Sequence, residues 1–342
     1  MKRELAFLAT CSLLGCATLA GEAGDSDAER PNALAGPFRL LGKSEIDGLD
    51  APYVLNKKFS DFREPTVLDL DPGESLGATA LYAVVTVTGV SHIERFLAAD
   101  GRSFDVEPNP VAPVLSPDLA WEGAGLDAPE AARVGSETWL YYSAEGGIGL
   151  SRSTDGVSFE KQPAPVLAAG GSTWEGGKAP RAPAFLELGP GEYRLFYEAN
   201  GQIGEARSSD GVAWERIGDA PLLGPGQGSA DEPAFDGVAV GDPEVWRTRT
   251  AEGRVVTRVY YTGRSPDGSS AIGLAARYGD SGKLTRAPAP AFAGTRGPRS
   301  PAVVPHGSFT LLFLTERAGP NDDYPAIAVG IAPATRTLPV EK

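Results

Sequence analysis

At 342 residues with 42% hydrophobic content, the chain is long enough for one large domain with a substantial core. A formal charge of −14 and a pI near 4.7 argue against nucleic acid, whose phosphates such a surface repels. Both cysteines fall within the first sixteen residues and the two histidines, His92 and His306, stand apart, so the rest of the chain offers no disulfide, thiolate or zinc pattern; no cofactor is expected, with a structural calcium on carboxylates left open.

The N-terminus reads as an address. Lys2 and Arg3 precede an apolar stretch, Leu5 to Leu14, too short to span a bilayer as a helix. It ends Leu13-Leu14-Gly15-Cys16, which resembles a bacterial lipobox. The resemblance implies a signal peptide over 1–15, diacylation of Cys16 and attachment to the cell envelope; ordinary secretion with cleavage after Thr18-Leu19-Ala20 is the alternative. Ala17 carries no acidic retention signal, which points to the outer membrane of a Gram-negative bacterium. Small, polar and acidic residues over 16–36 suit a flexible tether, and the membrane is met through the lipid alone.

From residue 37 to 342 the chain repeats. Ser151 to Glu160 (SRSTDGVSFE) and Ala206 to Glu215 (ARSSDGVAWE) are near copies, and Asp100, Asp155 and Asp210 fall 55 residues apart. Each Asp is followed by Gly and, four positions on, by an aromatic: Phe104, Phe159 and Trp214. Pro65, Pro129, Pro183, Pro243 and Pro301 each open an apolar run. Periods of this size mean stacked supersecondary units. In the third repeat Pro183–Leu188, Tyr193–Glu198, Ile203–Ser208 and Val212–Arg216 alternate as strands, separated by Gly189-Pro190-Gly191, Asn200-Gly201 and Asp210-Gly211 turns. Four antiparallel strands without helix make a propeller blade, and five prolines predict an all-β, five-bladed β-propeller. The last repeat lacks an outer strand, and Ala51-Pro-Tyr-Val-Leu55 matches the outer-strand tails ending at Leu115, Leu167 and Leu223. A strand within Pro37 to Leu55 is therefore expected to close the ring. A monomer is expected.

Aromatics also recur ahead of the proline, in Trp121-Glu-Gly, Trp174-Glu-Gly and Phe235-Asp-Gly. They serve either as packing between blades or, for Trp121 and Trp174, as a sugar-stacking platform. The Asp-Gly pairs are hairpin chemistry.

Together these motifs resemble the five-bladed propellers of the glycoside hydrolase family 43 and family 32 clan. Sialidases are a poorer match, because their motif places a residue between Asp and Gly, unlike Asp155-Gly156 and Asp210-Gly211. The resemblance implies that residues just before each proline face a central funnel. It also implies an Asp base before the first-blade proline, a pKa-tuning Asp in the third and a Glu acid beside the fourth. This chain has Arg63-Glu64-Pro65, Asp127-Ala128-Pro129, Arg181-Ala182-Pro183, Gly241-Asp242-Pro243 and Arg299-Ser300-Pro301. The candidate catalytic residues are thus Glu64, Asp127 and Asp242, with Arg63, Arg181, Arg299, Trp121 and Trp174 as ligand-binding candidates. The tuning Asp is missing, and arginines beside a carboxylate are expected to hold it ionised, which suits a base and opposes an acid.

The function expected is that of a lipoprotein whose propeller binds an oligo- or polysaccharide at its funnel and hydrolyses it if two carboxylates are suitably set. The alternative is a non-catalytic propeller serving as an interaction or structural module of the envelope. A hydrolase requires one funnel acid with a raised pKa; a binding module requires carboxylates paired with arginine; a scaffold requires a plugged funnel. Glu198 and Glu316 end second strands, where a one-residue slip reverses the face, and are set aside, although Glu316 is within reach of the rim.

Overall fold

The computed structural model describes residues 37–41, 53–55, 61–70, 78–99, 104, 113–229, 233–250, 253–306, 309–319, 322–333 and 338–339. The lipobox with Cys16, the tether and the first Asp-Gly pair at Asp100 lie outside them.

Two short strands, β1 (Arg39–Leu40) and β2 (Tyr53–Leu55), precede the first blade. Blade one is β3 (Asp61–Asp69), β4 (Thr79–Val87) and β5 (Val90–Ala98). Blade two is β6 (Asp127–Val134), β7 (Glu137–Ala144) and β8 (Gly147–Ser153), edged by β9 (Glu160–Lys161) and β10 (Leu167–Ala168). Blade three is β11 (Arg181–Gly189), β12 (Glu192–Ala199), β13 (Gln202–Ser208) and β14 (Glu215–Arg216). Blade four is β15 (Ala239–Arg249), β16 (Val255–Arg264) and β17 (Ser270–Tyr278), edged by β18 (Thr285–Arg286) and β19 (Phe292–Ala293). Blade five is β20 (Arg299–His306), β21 (Phe309–Gly319) and β22 (Asp322–Pro333). A last strand, β23 (Leu338–Pro339), pairs with β15.

The ring closes as expected: Arg39 pairs with Ile331 on β22, and Leu55 with Ile327. Leu55 is one of five equivalent outer residues. Leu115, Leu167, Leu223 and Phe292 meet Ile93, Ile148, Ile203 and Ile272 in the other blades. Four of the interfaces between blades hold one apolar cluster each, such as Phe62, Leu81, Phe96 and Phe313 between blades five and one, and the interface between blades three and four holds two smaller ones. The core is thus a ring of five seams, as stacked sheets require.

The fourth strands are shorter than the sequence suggests. Val212, expected to begin the fourth strand of its repeat, and its counterpart Val157 in the repeat before belong to the Asp-Gly turns instead. Asp155 Oδ1 accepts the N–H groups of Val157 and Ser158 at 2.8 Å each, and Asp210 does the same for Val212 and Ala213. A carboxylate that captures two backbone donors removes them from the ladder. The strand proper begins at Glu160 or Glu215.

The W-E-G and F-D-G motifs are packing devices. Trp121 stacks on Tyr142 at 5.9 Å, Trp174 on Tyr197 at 6.0 Å and Phe235 on Tyr261 at 6.4 Å. Each ring also covers a glycine of the third or second strand; a Cβ on Gly149 would stand 2.7 Å from Trp121 and 2.4 Å from Tyr142. The acid beside each aromatic is buried and accepts that tyrosine's O–H: Glu122 from Tyr142 at 2.7 Å, Glu175 from Tyr197 at 2.8 Å, Asp236 from Tyr261 at 2.8 Å. Lys161, Arg216 and Arg286 from the outer strands neutralise them.

Candidate functional site

Every inner strand carries the same irregularity. The pairing with the second strand slips between the residue two before the proline and the residue after it. The residue preceding each proline is left-handed: Glu64 (φ 53°), Ala128 (42°), Ala182 (48°), Asp242 (44°) and Ser300 (50°). Such a conformation in a non-glycine residue costs on the order of 1–3 kcal/mol, and a bulge there re-aims the side chain.

The bulged N–H groups lose their ladder partners and find new ones on the preceding blade. Glu64 donates to Thr315 Oγ1 (2.8 Å), Ala182 to Ser143 Oγ (2.7 Å), Asp242 to Glu198 Oε2 (3.3 Å) and Ser300 to Thr262 Oγ1 (2.9 Å). These acceptors occupy one register position, at or beside the partner of the residue two before the proline. Blade one has Val84 there, which accepts nothing. Glu64 fills the gap itself, its Oε2 taking the Ala128 N–H at 2.7 Å. Buried backbone donors demand partners, so three hydroxyls and two carboxylates complete the ring.

The prolines and their neighbours enclose an axial cavity of about 30 Å³ lined by Glu64, Glu130, Asp242 and Glu244. A water needs roughly 10–15 Å³, so the channel takes two or three waters and no sugar. A glycan therefore has to lie above it, at the mouth, where Asp127 and Arg181 are each 42% exposed. Glu130 and Glu244, one residue past their prolines, sit deeper and accept the Phe185 and Val303 N–H groups at 3.0 and 3.1 Å. Burial pushes Glu130 up to about 7, and burial with the Glu130 charge raises Glu244 well above the ordinary carboxylate range.

The mouth gathers most of the residues expected there. Arg63 is fully engaged: it donates to Asp127 Oδ1 and Asp61 Oδ2 at 2.7 Å, to Thr86 Oγ1 at 2.6 Å and to Ser91 Oγ at 2.9 Å. Glu64 Oε1 stands 3.8 Å from Arg63 Nε and 4.0 Å from Arg181 Nη2. Asp242 accepts from Ser300 Oγ at 3.3 Å. Among the described residues no carboxylate lies within 4 Å of Arg299. Trp121 and Trp174 are held on their tyrosines and do not join this group.

The expectation that arginine holds the funnel acids ionised fails at Glu64. Burial first, then the charges of Asp127 and Asp242, push it up to about 7 against the pull of Arg63 and Arg181. At about 4 Å, and opposed by two other carboxylates, two guanidinium groups do not offset the loss of hydration. Glu198, set aside on sequence, joins the site: it pairs with Arg181 across the strand, and burial and Asp242 raise its carboxyl. Only pairing register could have found it. Glu316 is buried against Gly294 and stays outside the group. Among the described residues no cluster of three or more His, Cys, Asp or Glu is arranged to hold a metal.

Neither a family model nor a curated protein matches the sequence. Solved structures do. A complex of BT0996 with RGII superposes with a TM-score of 0.65 at 14% identity, over 90% of this chain and 95% of its counterpart. A thermostable family-43 glycoside hydrolase gives 0.60 at 16% identity, over 83% and 94%. The β-1,2-mannobiose phosphorylase from Listeria innocua gives 0.59 at 15% identity, over 89% and 95%. The fold is that of the glycoside hydrolase-like five-bladed propellers. Within that fold the X-Pro bulges of this propeller form the funnel floor, and the residues just ahead of them form its rim.

Proposed function

We propose that the propeller binds a glycan across the funnel mouth and cleaves it, with Glu64 as proton donor and Asp242 as base or nucleophile. One observation carries the reading. Five equivalent left-handed positions face the axis; three hold small residues, Ala128, Ala182 and Ser300, and two hold acids. Acids in a strained conformation aimed at one cavity are the mark of a site rather than of a scaffold. Glycoside cleavage needs two such groups with separated proton affinities. Glu64 meets the acid's requirement: raised to about 7, it retains a proton near neutrality, and its Oε1 is free of the Ala128 N–H that Oε2 accepts. This reverses the base role that the family resemblance implies for the first blade. Arg181 and Asp127, exposed at the rim, supply the fork and acceptor that grip hydroxyls. The likeness to a family-43 hydrolase and a mannobiose phosphorylase supports a carbohydrate ligand.

A second reading, binding without cleavage, is favoured by the structural duties of the same acids: Glu64 closes the Ala128 bulge and Asp127 anchors Arg63. A panel of plant and microbial oligosaccharides separates the two. Cleavage is expected with wild type and to fall by at least ~100-fold in Glu64→Gln and in Asp242→Asn; Gln keeps an acceptor for the Ala128 N–H, so the fold survives. Binding retained without any product establishes the second reading. No binding at all defeats both.

We also propose that Cys16 carries the lipid that anchors the propeller to the outer membrane. The order Lys2-Arg3, apolar run, Leu-Leu-Gly-Cys16 supports it. Metabolic labelling with an alkyne fatty acid is expected to mark wild type and to miss Cys16→Ser; equal labelling of both discards the anchor.

A further inference from the structure

The seam between blades three and four breaks the repeat in two places at once. In the seams before it, a second-strand tyrosine reaches across to the next blade's Asp-Gly turn: Tyr82 O–H to Gly156 O and Tyr141 O–H to Gly211 O, both 2.9 Å. The equivalent residue in blade three is Phe196, which has no hydroxyl. Ser153 and Ser208, whose hydroxyls cap those turns, are replaced in blade four by Arg277. Arg277 lies over the Phe196 ring at 5.8 Å and itself holds the blade-four loop through Gly282 O and Asp280 O at 3.0 Å. The apolar seam is split into two small clusters here. What opens is a groove of about 710 Å³, within the roughly 300–1,000 Å³ of small-ligand sites and away from the funnel.

The groove carries positive charge inside a chain of net charge −14. Arg277 binds Glu205 through both terminal nitrogens, at 2.7 and 2.9 Å, and Arg194 approaches the same carboxylate at 3.6 Å. One buried acid thus serves two guanidinium groups, and the Nε of each makes no hydrogen bond. The other charges are matched: Arg207 with Glu215, Asp280 with Arg247, Arg216 with Glu175 and Arg286 with Asp236. Lys283 stands exposed on the rim without a carboxylate among the described residues. Ile217, Pro221, Leu222 and Leu284 give the walls an apolar face.

We infer that this groove is a binding site for a carboxylated oligosaccharide, separate from the funnel. A uronic-acid residue offers the carboxylate that Lys283 lacks and that Arg194 has only by sharing, and a C–H face for the apolar wall; a neutral sugar leaves the excess charge unmet. The inference does not depend on the funnel reading.

Titration calorimetry on the full chain tests it with trigalacturonate, its methyl ester as an uncharged copy of the same shape, and inorganic phosphate. Trigalacturonate is expected to bind with an affinity that falls with salt, and Lys283→Glu to weaken it by about tenfold. Lys283 is exposed, so this variant does not endanger folding. The ester is expected to bind at least ~10-fold more weakly, and Arg181→Ala at the funnel to leave the groove affinity unchanged. Equal binding of acid and ester, or an affinity indifferent to Lys283→Glu, overturns the inference. So does phosphate binding as tightly as the sugar, which marks an anion site without sugar recognition. Loss on Arg181→Ala alone places the sugar in the funnel instead.

Discussion

Glu122→Ala should destabilise the propeller by about 3–5 kcal/mol, the largest effect expected of a single substitution away from the axis. Glu122 is completely buried, and four donors converge on it. Tyr142 O–H reaches Oε1 at 2.7 Å; Lys161 Nζ at 2.8 Å and the N–H groups of Asp118 and Leu119 at 2.8 and 2.9 Å reach Oε2. Alanine strands the hydroxyl and both N–H groups and removes the buried counter-ion of the ammonium, which keeps the exposed Asp118 and the Ser116 carbonyl. Buried donors left without their acceptor cost more than the bonds were worth. The matched control is Asp118→Ala, which removes a shorter ion pair, 2.6 Å against 2.8 Å, at the surface and should cost no more than about 1 kcal/mol. Urea unfolding of the two variants measures the difference. A similar loss in both would mean that the W-E-G acid is no more than another surface charge.

The second large effect concerns pH. Glu64 and Glu130 are both pushed from an ordinary 4.5 up to about 7 chiefly by burial, and burial with the Glu130 charge raises Glu244 well above its ordinary range in the same cavity. An acid with a raised folded pKa holds its proton more tightly folded than unfolded. Between pH 4.5 and 7 the folded state therefore binds the extra protons, and stability falls as pH rises. The benefit is fully present below 4.5 and gone above 7, at about 3 kcal/mol for each acid. The acids share one cavity, so ionising the first hinders the next and the losses do not add. Asp155 and Asp210, held below their ordinary range by backbone N–H groups, act under about pH 4 and leave this window alone. Chemical denaturation at pH 5, 6, 7 and 8 should show the decline, and Glu130→Gln should flatten part of it. A profile flat from 5 to 8, or one rising toward 8, contradicts the axial arrangement of carboxylates.

The same shift ties the fold to the proposed chemistry. Under the hydrolase reading, Glu64 is the proton donor because burial withholds stabilisation from its charged form and keeps the proton on it. The strained bulge and the missing acceptor at Val84 explain how a carboxylate came to be buried there: the fold needs an oxygen at Ala128 N–H, and Glu64 supplies it.

Much of this is legible in the order of residues. Strand alternation, Asn200-Gly201, the Asp-Gly turns and the outer tails ending at Leu55, Leu115, Leu167 and Leu223 are local signals, set by a few residues' backbone preferences and by alternation of side-chain faces. Counting them gives five blades, because a repeated unit with two sticky faces has to stack on its neighbours, and the outer-strand tail at Leu55 gives the N-terminal strand that closes the stack. The fourth strands start later than alternation suggests because the Asp side chain, not the hairpin alone, governs the turn.

What the sequence does not determine are the distances between blades. Glu64 meets Thr315 across 251 positions, and Glu205 meets Arg277 across 72. Whether arginine or burial controls Glu64, whether Glu198 turns toward Arg181, and whether Phe196 leaves a seam ajar all depend on contacts between blades. Local propensity settles which strands form, since its terms act within a few residues. Only the closed ring settles which charges meet, because desolvation and Coulomb terms depend on positions in space that the repeat itself does not encode.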